Sequence, residues 1–286
     1  MEEIISKAAT LLEALPYIQR FRSQIFVVKY GGSFMDSDDP DVRHRVARDI
    51  VFLEAVGINP VVVHGGGKAI TRALETAGLK ARFVQGQRVT DAVTMEIVER
   101  VLSLEINAEI VKAIEDFGGR ARGFAGSEIF RCQKLMCDER DLGFVGQVVD
   151  VNIDPLRECI RRSVTPVISP TARDDEGKIY NCNADIAAAK TAVALKARRL
   201  VFMSDVPGLL RDPNDDSTLM RHLRVEEVPE LKRAGVISTG MLPKVDSAIA
   251  AIESGVEKVQ FVDGRISHSV LLEIFTDAGV GTEVVR

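Results

Sequence analysis

Lys29 follows four apolar residues, Ile-Phe-Val-Val at 25–28, and precedes Tyr30 and the pair Gly31-Gly32. Four positions are too few for a buried helix, and β-branched or aromatic types at each read as a strand buried on both faces. A cation at the carboxyl end of such a strand, followed by two residues without Cβ, suits a phosphate. The glycines let backbone N–H groups approach an anion, and the ammonium supplies a full charge. An ordinary tight turn with a solvated lysine satisfies the same spacing. The theme returns at 60–63, an apolar run that feeds His64-Gly65-Gly66-Gly67-Lys68. Beyond it Ala69, Ile70, Ala73, Leu74 and Ala77 recur at helical spacing. Three glycines between a strand and a helix N-terminus make a ready anion site. Neither loop has the G-x-x-x-x-G-K-[ST] or the G-x-G-x-x-G spacing. Two unlike glycine loops point to two anionic ligands.

Three further groups carry polar chemistry. Tyr180-Asn181-Cys182-Asn183-Ala184-Asp185 stands at a strand-to-helix junction, where two amides and a carboxylate can orient a polar ligand or cap the helix. Ser238-Thr239-Gly240-Met241-Leu242-Pro243-Lys244 places Gly240 and Lys244 at a helix start, with Pro243 in its first turn. A lysine there opposes the helix dipole, a mismatch that a nearby anion removes. Arg88 follows a flexible Gly86-Gln87 and can grip a carboxylate with both arms of its fork, or stand as a surface arginine.

The elements that must position these groups alternate. Residues 1–15 put Ile4, Ala8, Leu11, Leu12 and Leu15 on one helical face, opposite Glu2, Ser6, Lys7, Thr10 and Glu13, and Pro16 is expected to limit the helix. That stripe needs a surface, either its own domain or another subunit. Helices are expected at 39–56, 68–77, 155–162, 184–196, 225–234 and 243–254, and one long helix from an Asp91 cap through Phe117. Strands are expected at 120–125, 165–169, 199–203 and 258–262, with a β-hairpin over 129–151 turning at 137–143. Strands separated by helices mark a parallel α/β sheet. A seam is expected near the polar turn at 174–178.

Composition narrows the class. The 286 residues are 46% hydrophobic, an ordinary globular level, with a mild net charge of −5 that argues against general nucleic-acid binding. No apolar run reaches membrane-spanning length, and the first residues carry Glu2 and Glu3 rather than a secretory pattern. Cys132, Cys137, Cys159 and Cys182 lack zinc-like spacing and read as free thiols of a cytoplasmic protein.

Taken in order, KYGGS, VVVHGGGK, GQRVTD, YNCNAD, SDVPGLL and STGMLPKV resemble the amino acid kinase family, from about Val27 to the C-terminus. Each piece is weak and the combination is specific. Within the family they more closely resemble the branch that phosphorylates N-acetyl-L-glutamate in arginine biosynthesis. The resemblance implies a three-layer α/β/α sandwich with a mainly parallel central sheet. It implies an acyl-substrate lobe at 25–175, an ATP lobe at 176–286, and an added N-terminal oligomerisation helix within 1–24. The implied reaction moves the γ-phosphoryl of ATP, with Mg2+, to a carboxylate. Lys29 and Lys244 would flank that group, and Asp185 would orient both lysines. Gly66, Gly67, Arg88, Asn181 and Asn183 would hold the acyl substrate. Gly31, Gly32, Ser204, Asp205, Gly208 and Leu209 would hold the nucleotide. No resident metal site is implied. The family's usual Lys-Asp is replaced by Ser127-Glu128, so no role is carried onto that loop.

The segment from His268 through Glu273 and Gly279 to Gly281-Thr282 resembles the effector signature of arginine-inhibited members. It implies an L-arginine site including His268, Glu273 and Gly281, with Lys196 and Tyr17, and hexamers built as trimers of dimers through the N-terminal helix. The plainer alternative is a buried terminal helix of Leu271, Leu272, Ile274 and Phe275, with His268 as its cap. Family analogy adds a PII-type signalling partner. Kinases of acetylaminoadipate, glutamate, UMP and carbamate, and a non-catalytic arginine sensor, are the rival readings. Retention of both lysines speaks against the sensor.

Overall fold

The computed structural model describes residues 2–32, 35, 39–137, 140–237 and 240–286. Expectations resting on Ser33, Ser238 and Thr239, and on the side chains of Glu2, Ile4, Ser6, Lys7 and Cys137, lie outside the described residues.

The chain opens with α1 (Glu2–Phe21), β1 (Ile25–Tyr30), α2 (Pro40–Ala55), β2 (Asn59–His64) and α3 (Gly67–Thr76). A two-stranded ribbon follows, β3 (Phe83–Val84) and β4 (Gln87–Arg88). Next come α4 (Ala92–Glu99), a π-helical stretch (Arg100–Ile106) and α5 (Asn107–Asp116). The middle of the chain holds β5 (Ala121–Phe124), α6 (Gly126–Ile129), β6 (Phe130–Cys137), β7 (Arg140–Val151), α7 (Asp154–Arg161), β8 (Thr165–Ile168), β9 (Thr171–Arg173) and β10 (Ile179–Cys182). The last third is α8 (Ala184–Leu195), β11 (Arg199–Ser204), β12 (His222–Arg224), α9 (Val228–Arg233), α10 (Leu242–Glu253), β13 (Lys258–Asp263), α11 (Ser269–Phe275) and β14 (Thr282–Val285).

Eight strands form one sheet in the order β12-β14-β13-β11-β1-β2-β8-β5, parallel except where β14 runs against β13. β1 lies near its middle, between β2 and β11, as its unbroken apolar run requires. Alternation along the strands divides them between two cores. Val27, Val61, Val63, Leu200 and Phe202 face one side, which α7, α8 and α10 cover. Phe26, Val28, Val62, Val201 and Met203 face the other, covered by α2, α5, α11 and the end of α1. This is the three-layer α/β/α arrangement. Its sheet aligns the carboxyl ends of β1, β2 and β11, the edge where open α/β folds bind ligands.

A second, small closed sheet of β10-β7-β6-β9 stands beside it. The expected hairpin over 129–151 is half of this barrel. The polar turn at 174–178 closes a hairpin between β9 and β10, with Asp174 N donating to Lys178 O at 2.9 Å. β10 leads directly into α8, so the barrel sets where the 181–185 segment sits.

Three local expectations need correction. α1 does not stop at Pro16 but continues to Phe21. Proline removes one hydrogen bond, yet Tyr17, Ile18 and Phe21 beyond it pack into the core, and the Phe21 ring lies edge-on to Phe26 at 5.2 Å. Leu11, Leu12 and Leu15 before it are exposed. The long helix begins at its Asp91 cap, which accepts from Thr94 N at 2.8 Å, but a seven-residue π segment interrupts it. His268 precedes α11 in a left-handed conformation without capping it through its side chain.

Candidate active site

Lys29 points from the end of β1, Asp185 from the first turn of α8, and Lys244 from the first turn of α10. The three side chains meet. Lys29 Nζ lies 3.1 Å from Asp185 Oδ1, and Lys244 Nζ donates to Asp185 Oδ2 at 2.7 Å. The Lys29 contact is an ion pair whose alignment falls short of a hydrogen bond. Asp185 occupies the favourable end of its helix dipole and Lys244 the unfavourable end of its own. The carboxylate is the anion that makes the Lys244 position tolerable. Burial alone would raise the Asp185 carboxyl, but Lys29 and Lys244 overcome it and hold the group at about 2. Burial pushes the Lys29 ammonium down, and Asp185 offsets part of that effect.

Lys29 and Asp185 open onto a cleft of about 1150 Å³. Gly31 and Gly32 line it on one side, and a Cβ on Gly31 would strike the Lys29 ammonium. Gly66 and Gly67 line another side, at the start of α3, whose N-cap Gly66 brings no side-chain cap. Arg88 sits at the end of the small ribbon, whose turn has positive φ at Gln85 and Gly86. Its Nη2 donates to Gly67 O at 2.7 Å and to Thr71 Oγ1 at 2.9 Å, and its guanidinium lies over the Phe83 ring. Nη1 is buried without a hydrogen-bond partner. Half of the fork therefore anchors the arginine, and the other half is buried with its hydrogen-bonding capacity unused. Burial also lowers Arg88 from its usual range.

Asn181 and Asn183 line the cleft but differ in use. Asn183 caps α8, accepting from Asp185 N at 2.8 Å and Ile186 N at 3.2 Å. Asn181 reaches Thr90 Oγ1 only at 3.4 Å, which leaves its amide for a ligand. Among the expected nucleotide residues at and beyond the end of β11, Asp205 lines the cleft, while Ser204, Gly208 and Leu209 lie outside its lining. Ser204 Oγ is buried without a partner. Leu209 is a core residue whose N–H donates to Thr282 Oγ1 at 2.9 Å, and Thr282 fills the space beside Gly208. These two shape the loop from below.

The expected effector residues gather around α11, with one outlier. Glu273 is buried and fully engaged, accepting from Val280 N at 2.7 Å, Gly281 N at 3.0 Å and Gln260 Nε2 at 3.0 Å. Tyr17 donates to Asp277 just beyond the helix. His268 Nδ1 lies 2.6 Å from Asp49 Oδ1 on α2. Lys196 is exposed at the left-handed end of α8. Sequence reasoning passed over Asp49, Thr71, His64 and Asn107. His64 alone carried a signal, its position immediately before the glycines.

The chain matches the amino acid kinase family over residues 24–263. It is 47% identical over 282 residues to the acetylglutamate kinase of Thermoanaerobacter pseudethanolicus, covering 98% of this chain and 93% of that protein. It is 45% identical to the acetylglutamate kinase of Heliobacterium modesticaldum over 297 residues, covering both in full. Among solved structures, N-acetylglutamate synthase from Neisseria gonorrhoeae, complexed with coenzyme A and N-acetyl-glutamate, superposes with a TM-score of 0.86 at 25% identity. This chain spans 98% of its own length there but 63% of the synthase. Carbamate kinase from Giardia lamblia, at 14% identity, covers 92% of this chain and 99% of its own with a TM-score of 0.64, and shares the fold. By the family match and these near full-length relatives, the chain belongs to the amino acid kinase family, in its acetylglutamate kinase branch.

Proposed function

We propose that this chain transfers the γ-phosphoryl of ATP to the side-chain carboxylate of N-acetyl-L-glutamate, forming N-acetyl-L-glutamyl 5-phosphate and ADP in arginine biosynthesis. A carboxylate oxygen bonds to phosphorus as the bond to the β–γ bridging oxygen breaks. The acceptor is already ionised near neutrality, so no general base is needed. Alignment and charge stabilisation are what remain to be supplied. The observation that carries this reading is the convergence of Lys29 and Lys244, from β1 and α10, on buried Asp185 beside a glycine-lined cleft. The ammonium groups offset the repulsion between two anionic reactants and stabilise the migrating group. Asp185, held ionised, sets their spacing. Arg88 Nη1 takes the α-carboxylate, Asn181 and Asn183 hold polar groups of the substrate, and Gly66 and Gly67 meet it through backbone N–H groups.

The segment 25–175 supplies most of the acyl side, joined there by Asn181 and Asn183, and 176–286 most of the nucleotide side, where Gly31 and Gly32 join Ser204, Asp205, Gly208 and Leu209. Among the described residues no three His, Cys, Asp or Glu side chains cluster as a metal cage. A Mg2+ ion would be held chiefly by nucleotide oxygens and water, and would neutralise phosphate charge. An assay of ADP release with and without N-acetyl-L-glutamate, and with acetylaminoadipate, glutamate, UMP or carbamate in its place, tests the assignment. Turnover indifferent to N-acetyl-L-glutamate sinks it.

L-Arginine is proposed as feedback inhibitor, acting at the α11 segment with Tyr17, His268, Glu273, Gly281 and Lys196, in a hexamer joined through α1. The exposed Leu11, Leu12 and Leu15 support that joint. A cytoplasmic setting and a PII-type partner belong to the same proposal, and no described helix is long and apolar enough to cross a membrane. Deleting residues 1–20 should leave active dimers with a weakened arginine response. A truncation that stays hexameric counts against the joint.

A further inference from the structure

His64 ends β2 directly before the three glycines, and no step described above uses it. Its ring is wholly buried. Nδ1 lies 2.8 Å from the Gly65 carbonyl. A carbonyl only accepts, so Nδ1 carries a proton and donates. Nε2 lies 3.2 Å from Asn107 Nδ2. That same Nδ2 donates to the Val167 carbonyl at 3.0 Å, which settles which end of the Asn107 amide is nitrogen. Nε2 therefore accepts, and the imidazole is neutral in a single tautomer. Burial also pushes His64 down to about 4, consistent with that neutrality.

The π-helical stretch places the partner. Asn107 is the first residue after it. Two side chains of the stretch cover Gly66 so closely that a Cβ there would stand 2.6 Å from Leu102 Cδ2 and 2.5 Å from Ile106 Cδ1. The interrupted helix thus meets the glycine loop twice, by apolar contact at Gly66 and by a hydrogen bond at His64. Such interruptions frequently occur at functional sites. A trans peptide directs its C=O and N–H to opposite sides. With the Gly65 carbonyl turned to the buried ring, the Gly66 N–H faces away from it, and Gly66 lines the cleft.

We propose that His64 is a positioning residue for phosphoryl transfer. Held in its Nδ1–H tautomer by Asn107, it orients the Gly65–Gly66 peptide so that the Gly66 N–H is presented to the reacting oxyanions, a role that rests on the acceptor chemistry proposed above. The effect belongs to the transition state, where a misplacement of about 1 Å can lower a rate about a hundredfold.

Two amide variants separate this role from mere packing. His64→Asn carries an amide nitrogen where Nδ1 stands and keeps the donor to Gly65. His64→Gln carries its amide near Nε2 and gives that donor up. Expected is a kcat within about tenfold of the parent for His64→Asn, and a loss of about a hundredfold for His64→Gln with the KM for ATP little changed. Equal losses in the two folded variants, or a change confined to the KM for ATP, overturn the proposal. Histidine 15N NMR on the intact protein reads the tautomer directly. The Nδ1–H form without titration between about pH 5 and 8 is expected, and an Nε2–H form or titration near 6.5 overturns the clamp. That spectrum does not depend on the acceptor's identity, so it tells a failed clamp from a failed substrate assignment.

Discussion

Asp185 and Asp49 are both buried aspartates with basic partners distant in the chain, yet their surroundings drive them in opposite directions. Asp185 stands between two ammonium groups, at 3.1 and 2.7 Å. Their charge outweighs burial, and the carboxyl is held at about 2. Asp49 has one partner, His268, at 2.6 Å. There burial dominates, and the carboxyl is pushed up to about 6 although the imidazole pulls it down. A buried carboxylate stays ionised where two ammonium groups face it, and is pushed toward its neutral form where a single imidazole is set against burial. Asp185 is thus a constant of the cleft, while Asp49, on the helix that also brings Val46 and Ile50 to the cleft wall, responds to pH. Glu273 shows a third solution, a carboxylate surrounded by two backbone N–H groups and a neutral amide.

The harshest way to break the first arrangement is to remove its anion. Asp185→Ala leaves two ammonium groups facing each other without a counter-charge. The unfolding free energy measured in denaturant should drop by about 3–5 kcal/mol, with turnover abolished. Lys29→Ala and Lys244→Ala each leave one ion pair standing. The fold should persist while kcat falls at least about a hundredfold, and a folded variant with near-normal turnover refutes the electrostatic role. Arg88→Ala removes a charged donor from the cleft wall. Steady-state kinetics should show the KM for the acyl substrate rising about 10- to 100-fold, the equivalent of ~1.5–3 kcal/mol for such a bond. A rise in the KM for ATP alone would show that Arg88 belongs to the other ligand.

Asp49→Asn gives the smallest effect and sharpens the contrast most. The folded Asp49 carboxyl lies above its ordinary value of 3.8, so its contribution to stability is complete below that pH and is lost as pH rises through about 6. Asp185 has the opposite sign, with its contribution present above 3.8 and lost as pH falls through about 2. Denaturant titrations at about pH 5 and 7 should therefore show the stability difference between parent and Asp49→Asn shrinking toward the higher pH. A difference that does not change with pH contradicts the assignment of Asp49.

Local features were legible where the signal is local. The β1 run, the Asp91 cap, the hairpin over 129–151 and the Asn183 cap all follow from side-chain type at short spacing. Pro16 misled because a single breaker carries a fixed local penalty, while the burial of Phe21 against Phe26 offsets it from outside the local pattern. The π interruption escaped because Leu102 and Ile106 keep an apolar pattern that an ordinary helix also fits; contact with Gly66 distinguishes them. Capping by His268 fitted its place before α11, but its ring is drawn to Asp49 from another helix.

By itself the sequence determined the alternation of strands and helices, the two glycine loops, and the presence of lysines at a strand end and a helix start. Those properties depend on backbone freedom, charge and apolar periodicity within a few residues. Only the tertiary structure decided that β11 would lie beside β1, that α8 and α10 would bring Asp185 and Lys244 to Lys29, and that Asn107 would reach His64. Each of these is a meeting of distant segments, set by how two apolar sheet faces can both be covered, and no spacing along the chain encodes it.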